Sequence, residues 1–258
     1  MSEAGKEVLI KAVAQAIPSY AMSCFDLTKT LCDDISKMIC RFWWAQQDDE
    51  KKIHWLSREK LTTRKDKGGL GFRDLHLFNI AMLARQGWRL LMNPESLCAQ
   101  VLRAKYFPDG ELVNATEKPG ISYSWRSIVR GLDALKQGLI WRVGDGTLID
   151  IWSDPWIPDG VTRRPITPRG NIVLTKVSEL IDPVTGDWDK QLISEVFWEE
   201  DVNRILGIPI KHGMADLLAW HYDSKGIFSV KLAYHVLDDQ RERESRTQQG
   251  ESSSSSLQ

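Results

Sequence analysis

Long apolar runs are missing from this 258-residue chain. Charged side chains interrupt every stretch before it reaches the ~18–20 apolar residues that a membrane-spanning helix needs, so no membrane partner is expected. The N-terminal VLIKAVAQAI contains Lys11 and Gln15 and leads to no small-residue cleavage site, which argues against a signal peptide. Cysteine is scarce. Cys24, Cys32, Cys40 and Cys98 form no CxxC pair, and none of the five histidines stands near them at zinc-site spacing. They read as reduced structural thiols, and the pattern implies no metal and no cofactor.

The known phosphate loops are lacking as well. GK[ST] does not occur, which excludes a P-loop. The stretch KGGLGFRDLHLFNIAMLARQGWRLL offers G-x-G-x-x-D from Gly69 to Asp74, with a carboxylate where a dinucleotide fold needs its third glycine and no Val/Ile strand before it. A carboxylate there would repel a pyrophosphate. The glycines read instead as a tight turn with positive φ, and Asp74 as the cap of a helix beginning at Leu75.

What is present is a globular composition, 42% hydrophobic and 27% charged, enough for one large core or two modest ones. Eleven tryptophans are unusual. An indole buries a large area and needs one partner for its N–H, so most belong to the core; base stacking on one or two is the other reading. The net charge of −1 hides a basic segment: Ser36 to Phe107 holds fourteen Lys and Arg against seven Asp and Glu. Such a segment suits a polyanion, with salt-sensitive affinity, or a solvated surface.

Periodicity places helices along the first half. Val8, Leu9, Ala12, Val13, Ala16 and Ile17 form one stripe of a helix that ends near Pro18. Thr28 or Thr30 caps another, with Leu31, Ile35, Met38, Ile39 and Phe42 as its buried stripe. From Leu75, Arg85 and Arg89 lie one turn apart, with Asn79 and Gln86 on the same side, while Leu77, Ala81, Ala84, Trp88 and Leu91 face the other way. That spacing suits adjacent phosphates and equally a solvated face. Further helices are expected over Glu95–Tyr106 and Ser122–Gln137. From Leu139, LIWRVGDGTLIDIWSDPWIPDG reads as two strands joined across Gly144-Asp145-Gly146, and DLLAWHYDSKGIFSV as a second hairpin. Asp145, Asp150, Asp154 and Asp159 raise the question of a two-metal nuclease, but neighbouring Gly and Pro favour turns.

The expected fold is therefore mainly α with small β-hairpins: a helical domain over 1–137, a β-hairpin over 138–160, a small mixed segment over 161–237 and a disordered tail over 238–258.

The succession GKEVLIKAVAQAIPSYAMSCF, ICRFWW, KIHWLSREKL, KGGLGFRDLHLFNIAMLARQGWRLL, VLRAKYFP, SYSWRSIV and WRVGDGTLIDIWSDPWIP resembles the polyprotein of plant LINE-type non-LTR retrotransposons, in the part that follows the reverse-transcriptase palm. The resemblance runs from about Gly5 to Leu237. It implies a parent RNA-directed DNA polymerase whose Y-x-D-D aspartates belong to the palm; that motif is absent here, so the chain itself is not expected to be an enzyme. GIFSVKLAYHVL resembles the opening of the family's zinc-binding reverse-transcriptase segment, but its zinc ligands and ribonuclease H domain are not carried over. What remains resembles the thumb and connection, with the palm and an RNA–DNA duplex as partners. Phosphate contacts would then come from Arg41, Lys51, Lys52, Arg58, Lys60, Arg64, Lys65, Lys67, Arg73, Arg85, Arg89, Arg103 and Lys105. The alternative is a domesticated or degenerate retroelement product that serves as a protein-interaction module or has no function.

Overall fold

The computed structural model describes residues 1–44, 58–117, 119–160 and 162–254. The protein is mainly α, with one small two-stranded antiparallel sheet among the described residues, and it divides into two compact units, Met1–Lys136 with Ser229–Gln258, and Gln137–Phe228. Among the described residues no helix is long and apolar enough to cross a membrane.

In the first unit, α1 (Glu3–Leu9) is capped by the Ser2 hydroxyl and runs into a π-helical turn at Ile10–Ala14. That turn overturns the expected burial. The residues facing inward are Lys6, Ile10 and Gln15, a step of four and then of five, because the Gln15 amide donates to the Ile10 carbonyl (2.9 Å) and the wider turn rotates the residues beyond it. Lys6 Nζ reaches the Trp43 carbonyl (3.1 Å), Lys11 Nζ that of Leu70 (2.9 Å) and Gln15 Nε2 that of Arg73 (3.4 Å). The polar side chains are thus spent on carbonyls, while Val8, Leu9, Val13 and Ile17 are exposed.

After the single turn α2 (Ser19–Met22), Thr28 caps α3 (Lys29–Trp44) by accepting from the Leu31 amide. Cys32 and Ile39 are buried and Ile35 half-buried, but Leu31, Met38 and Phe42 of the expected stripe are exposed. Met38 and Phe42 border an open apolar groove of about 320 Å³ between α3 and the Ile10–Pro18 segment.

The short helix α4 (Arg58–Thr62) is followed by the glycine turn, where Gly68 and Gly71 have φ of +81° and +66°. Asp74 then accepts from the amides of His76 and Leu77 (3.0 and 3.1 Å) and caps α5 (Leu75–Met92). This is the turn and cap expected from the sequence. α5 is the central helix of the unit. Its inward face is Leu75, Asn79, Leu83, Gly87 and Leu90, with Ala81 and Ala84 also buried. After α6 (Leu97–Tyr106), capped by Ser96, α7 (Tyr123–Lys136) packs tightly on α5. A Cβ at Gly131 would lie 2.4 Å from the carbonyl carbon of Leu83, and one at Gly87 2.6 Å from the Leu132 side chain. Small residues therefore set the crossing distance. Trp125 stacks on Tyr106 and Phe107 at centroid distances of 4.7 and 5.5 Å.

The second unit begins with β1 (Leu139–Arg142) and contains α8 (Lys190–Val196), α9 (Glu199–Leu206) and β2 (Leu217–Trp220). The expected hairpin over 138–160 does not form. β1 pairs with the distant β2, Leu139 opposite Trp220 and Arg142 opposite Leu217. The cause lies in the Gly144–Leu148 turn, whose amides at Gly144, Gly146 and Leu148 all donate to the carboxylate of Asp216 (2.8–2.9 Å), beside the start of β2. Residues Ile149 and Ile151 bond instead to Val177 and Thr175. The second expected hairpin is also partial: β2 and the Asp223–Gly226 turn are present, but no strand follows the turn. Tryptophans behave as core residues here. Trp152, Trp156 and Trp188 donate their indole N–H to the carbonyls of Leu174, Ile151 and Ile208 at 2.8–2.9 Å.

Finally, α10 (Val230–Ser254) belongs to the first unit. A boundary at 228/229 replaces the one expected at 237, and residues 238–254, expected to be disordered, are helical; 255–258 lie outside the described residues. Composition shows how little the segment can bury, but not that its polar side chains have partners. Arg241 bridges Asp74 and its own-helix neighbour Asp238 (both 2.6 Å), the Tyr234 hydroxyl accepts from the Asp74 amide (3.0 Å), and Lys67 pairs with Glu242 (2.8 Å).

Candidate nucleic-acid interface

The basic segment separates into two groups. Before the glycine turn, Arg64, Lys65 and Lys67 are each matched to a carboxylate. Arg64 holds Asp66 with two hydrogen bonds (3.0 and 2.6 Å), Lys65 pairs with Glu7 (2.7 Å), and Lys67 with Glu242 and Asp239 (2.8 and 3.5 Å). Asp66, Glu7 and Glu242 respectively raise the pKa of Arg64, Lys65 and Lys67, so these cations stay charged but are already neutralised. Glu7 in turn is held down to about 2 by hydrogen bonds from Lys11 and Lys65.

Along α5 the situation differs. Arg85 and Arg89 are both exposed, one turn apart, and among the described residues neither meets a carboxylate; the nearest polar partner of Arg89 is the neutral Gln86 Oε1 (3.3 Å). Asn79 leaves the face on which the sequence placed it. It is fully buried, with Nδ2 donating to the carbonyls of Met22 (2.8 Å) and Phe25 (2.9 Å) and Oδ1 accepting from the Leu27 amide (2.7 Å). Arg73 is exposed and stacks over Phe78 at 4.7 Å, and Lys105 lies 5.1 Å from the Tyr106 ring centroid. Arg103 is exposed beside Gly110, and Arg41 and Lys60 are exposed on α3 and α4. Lys51 and Lys52 lie outside the described residues, as does the side chain of Arg58.

The loop preceding α3 is more closely held than the sequence suggested. Its Asp26 carboxylate, almost wholly buried, pairs with Arg130, its carbonyl accepts from the Tyr123 hydroxyl, and its amide donates to Ser127 Oγ (2.9 Å). Ring stacking of Phe25 on Tyr123 (5.9 Å) completes the wall. The signal that could have marked Asn79 as internal was its place in the four-residue series Leu75, Asn79, Leu83, Gly87.

The aspartates of the second unit are occupied by turns. Asp145 accepts from the Thr147 amide and hydroxyl, Asp150 from the Trp152 and Ser153 amides, and Asp154 from the Asp150 amide; Asp159 is exposed. Among the described residues no group of three or more potential metal ligands is found.

Sequence comparison finds relatives among plant proteins. The "Uncharacterized mitochondrial protein AtMg00310" of Arabidopsis thaliana is 41% identical over 152 residues, which is 58% of this chain and 99% of that protein. The chain belongs to its family. The "Putative ribonuclease H protein At1g65750" of the same plant is 31% identical over 252 residues, 92% of this chain but 39% of that longer protein. These similarities support a transposable-element-related origin for the chain. No family model and no solved structure matches it.

Proposed function

We propose that the chain is the non-catalytic, post-palm part of a LINE-type RNA-directed DNA polymerase and that its first unit grips the backbone of a template–primer duplex. The observation that carries this is the Arg85–Arg89 pair: two exposed guanidiniums, one helical turn apart, that no carboxylate among the described residues neutralises. Arginine in that setting offers forked donors to successive phosphates. The exposed cations Arg73, Arg103, Lys105 and Arg41 add positive charge to the unit, whereas Arg64, Lys65 and Lys67 contribute less because they are already paired.

The test is the salt dependence of binding to a blunt RNA–DNA hybrid, read by fluorescence anisotropy. Each neutralised phosphate contributes about 0.9 to the slope of log K against log salt, so replacing Arg85 and Arg89 with alanine should lower it by about two. Absent or salt-insensitive binding, or a slope that the double variant leaves unchanged, refutes the reading.

A second reading is favoured by the apolar surface. Val8, Val13, Ile17, Met38 and Phe42 are 38–75% exposed, which suits a protein partner: the palm that the motif resemblance implies, or, in a domesticated product, another protein. Recovery of one defined partner in nuclease-treated pull-downs, lost on replacing Ile17 and Met38 with serine, in a chain that binds no hybrid would support this reading over duplex binding.

A further inference from the structure

A cleft of about 790 Å³ opens in the first unit between the loop after α2, the end of α5 and the beginnings of α6 and α7. That volume is in the range of small-ligand sites. Its lining combines an aromatic ring, Phe25, a cation, Arg89, and the amides of Gln86 and Asn93, and among the described residues no carboxylate. We propose that this cleft takes one unpaired nucleotide, its base against Phe25 and its phosphate on Arg89; the inference rests on the nucleic-acid reading above.

Phe25 is suited to the task because it is both accessible and fixed. The residue is 40% exposed, yet its carbonyl is held by the buried Asn79 amide (2.9 Å) and its ring is stacked on Tyr123, whose hydroxyl is tied to the Asp26 carbonyl. A stacking platform held in this way loses little side-chain freedom when a base settles on it. The amides are part-committed in a manner that leaves complementary groups. Gln86 Oε1 accepts from Arg89, leaving Nε2 as a donor, and Asn93 Nδ2 donates to the Arg89 carbonyl, leaving Oδ1 as an acceptor. One donor and one acceptor can address a base edge that is not engaged in pairing. Arg89, with only a neutral partner, balances no acid inside the cleft, so an entering phosphate meets net positive charge.

The cleft also carries its own reporters. Cys98 is exposed and Cys24 half-buried, and both line it, whereas Cys40 does not. The experiment uses the full chain with three probes: a blunt RNA–DNA hybrid, the same hybrid with one unpaired 2-aminopurine nucleotide, and free AMP. Binding is followed by anisotropy, 2-aminopurine quenching and the rate of iodoacetamide modification at each cysteine.

The overhang should bind more tightly than the blunt hybrid, quench, and slow modification of Cys98 and Cys24 but not Cys40. Phe25→Leu should reduce the overhang affinity by about 5- to 150-fold, the range of one base–aromatic stack, and leave blunt binding unchanged, while Phe25→Trp retains it. Protection by AMP, with no overhang advantage, would keep the site and assign it to free nucleotide. If overhang and blunt hybrids bind alike and neither they nor AMP protect the thiols, the cleft inference fails and duplex gripping stands. If no hybrid binds, both fail.

Discussion

Asn79 lets the internal support of the Met22–Leu27 loop be tested separately from anything that touches a ligand. Its side chain makes three hydrogen bonds to backbone groups, and an Asn79→Ala variant removes them all at once. The bond to Met22 is fully buried, and those to Phe25 and Leu27 partly so. A buried backbone group left unpaired costs about 1–3 kcal/mol, and a half-exposed one recovers part of that from water, so the total should be about 2–4 kcal/mol. Asn79→Leu should fare no better, because it restores volume but leaves the same groups unpaired. Asn79→Asp should be worst at neutral pH, since its carboxylate would face two carbonyl oxygens from inside the core.

Tryptophan fluorescence would mix the two units, so the assay should report on the first alone. Cys32 is 1% exposed in that unit's core. Pulse alkylation of Cys32 across a urea series gives the midpoint of that unit, and with a slope of about 2 kcal/mol per molar urea the expected loss lowers it by about 1–2 M. An unchanged midpoint in Asn79→Ala would show that the loop is held from elsewhere, and the account of Phe25 as a fixed wall would fall with it.

Gly131→Ala should destabilise the first unit by about 1–3 kcal/mol in the same assay, because its Cβ would push against the Leu83 and Ala84 backbone rather than a flexible side-chain end. Glu7 contributes a pH signature: its carboxylate pKa is depressed from 4.5 to about 2, so its stabilising effect is present above the upper value and disappears as pH falls through the lower. The midpoint difference between the wild type and Glu7→Gln should be steady above about pH 5 and narrow on acidification; a difference independent of pH would refute the linkage. Replacing Glu242 and Asp239 by Gln and Asn frees Lys67, and the salt slope for hybrid binding should steepen by up to about one. An unaltered slope would place Lys67 away from the bound backbone.

Signals within a few residues of one another were legible. The positive φ of Gly71, the Asp74 cap, the start of α5 and the bounds of α7 to within a residue follow from turn chemistry and periodicity that no distant contact opposes. What was hidden depended on partners far along the chain. The N-terminal segment is amphipathic in sequence, but its apolar stripe is exposed: Lys6 and Gln15 turn inward to the carbonyls of Trp43 and Arg73, Lys11 reaches that of Leu70, and the π turn breaks the period on which the stripe rests. The strand at Leu139 was legible, but its partner was not, since Asp216 ties the Gly144–Leu148 turn and draws the pairing to β2. In the candidate site the Arg85–Arg89 pair was visible at its spacing, whereas Phe25 acquires its role only from Asn79 and Tyr123, neither adjacent to it in sequence.

These departures bear on which functional reading to prefer. A helix that buries Lys6 and Gln15 while presenting Val8, Val13 and Ile17 to solvent forgoes apolar burial of about 1.5–3 kcal/mol for each large side chain left out. Exposed apolar residues of this kind are what the interaction reading requires, a surface for another protein to cover. An interaction module needs only that surface. A polymerase thumb needs it together with an unneutralised cationic helix, and the same unit carries Arg85 and Arg89. The pair therefore discriminates between the readings: an Arg85→Ala, Arg89→Ala variant that keeps its protein partner but loses the hybrid would show two separate faces on one unit, as a duplex-gripping element joined to a palm requires.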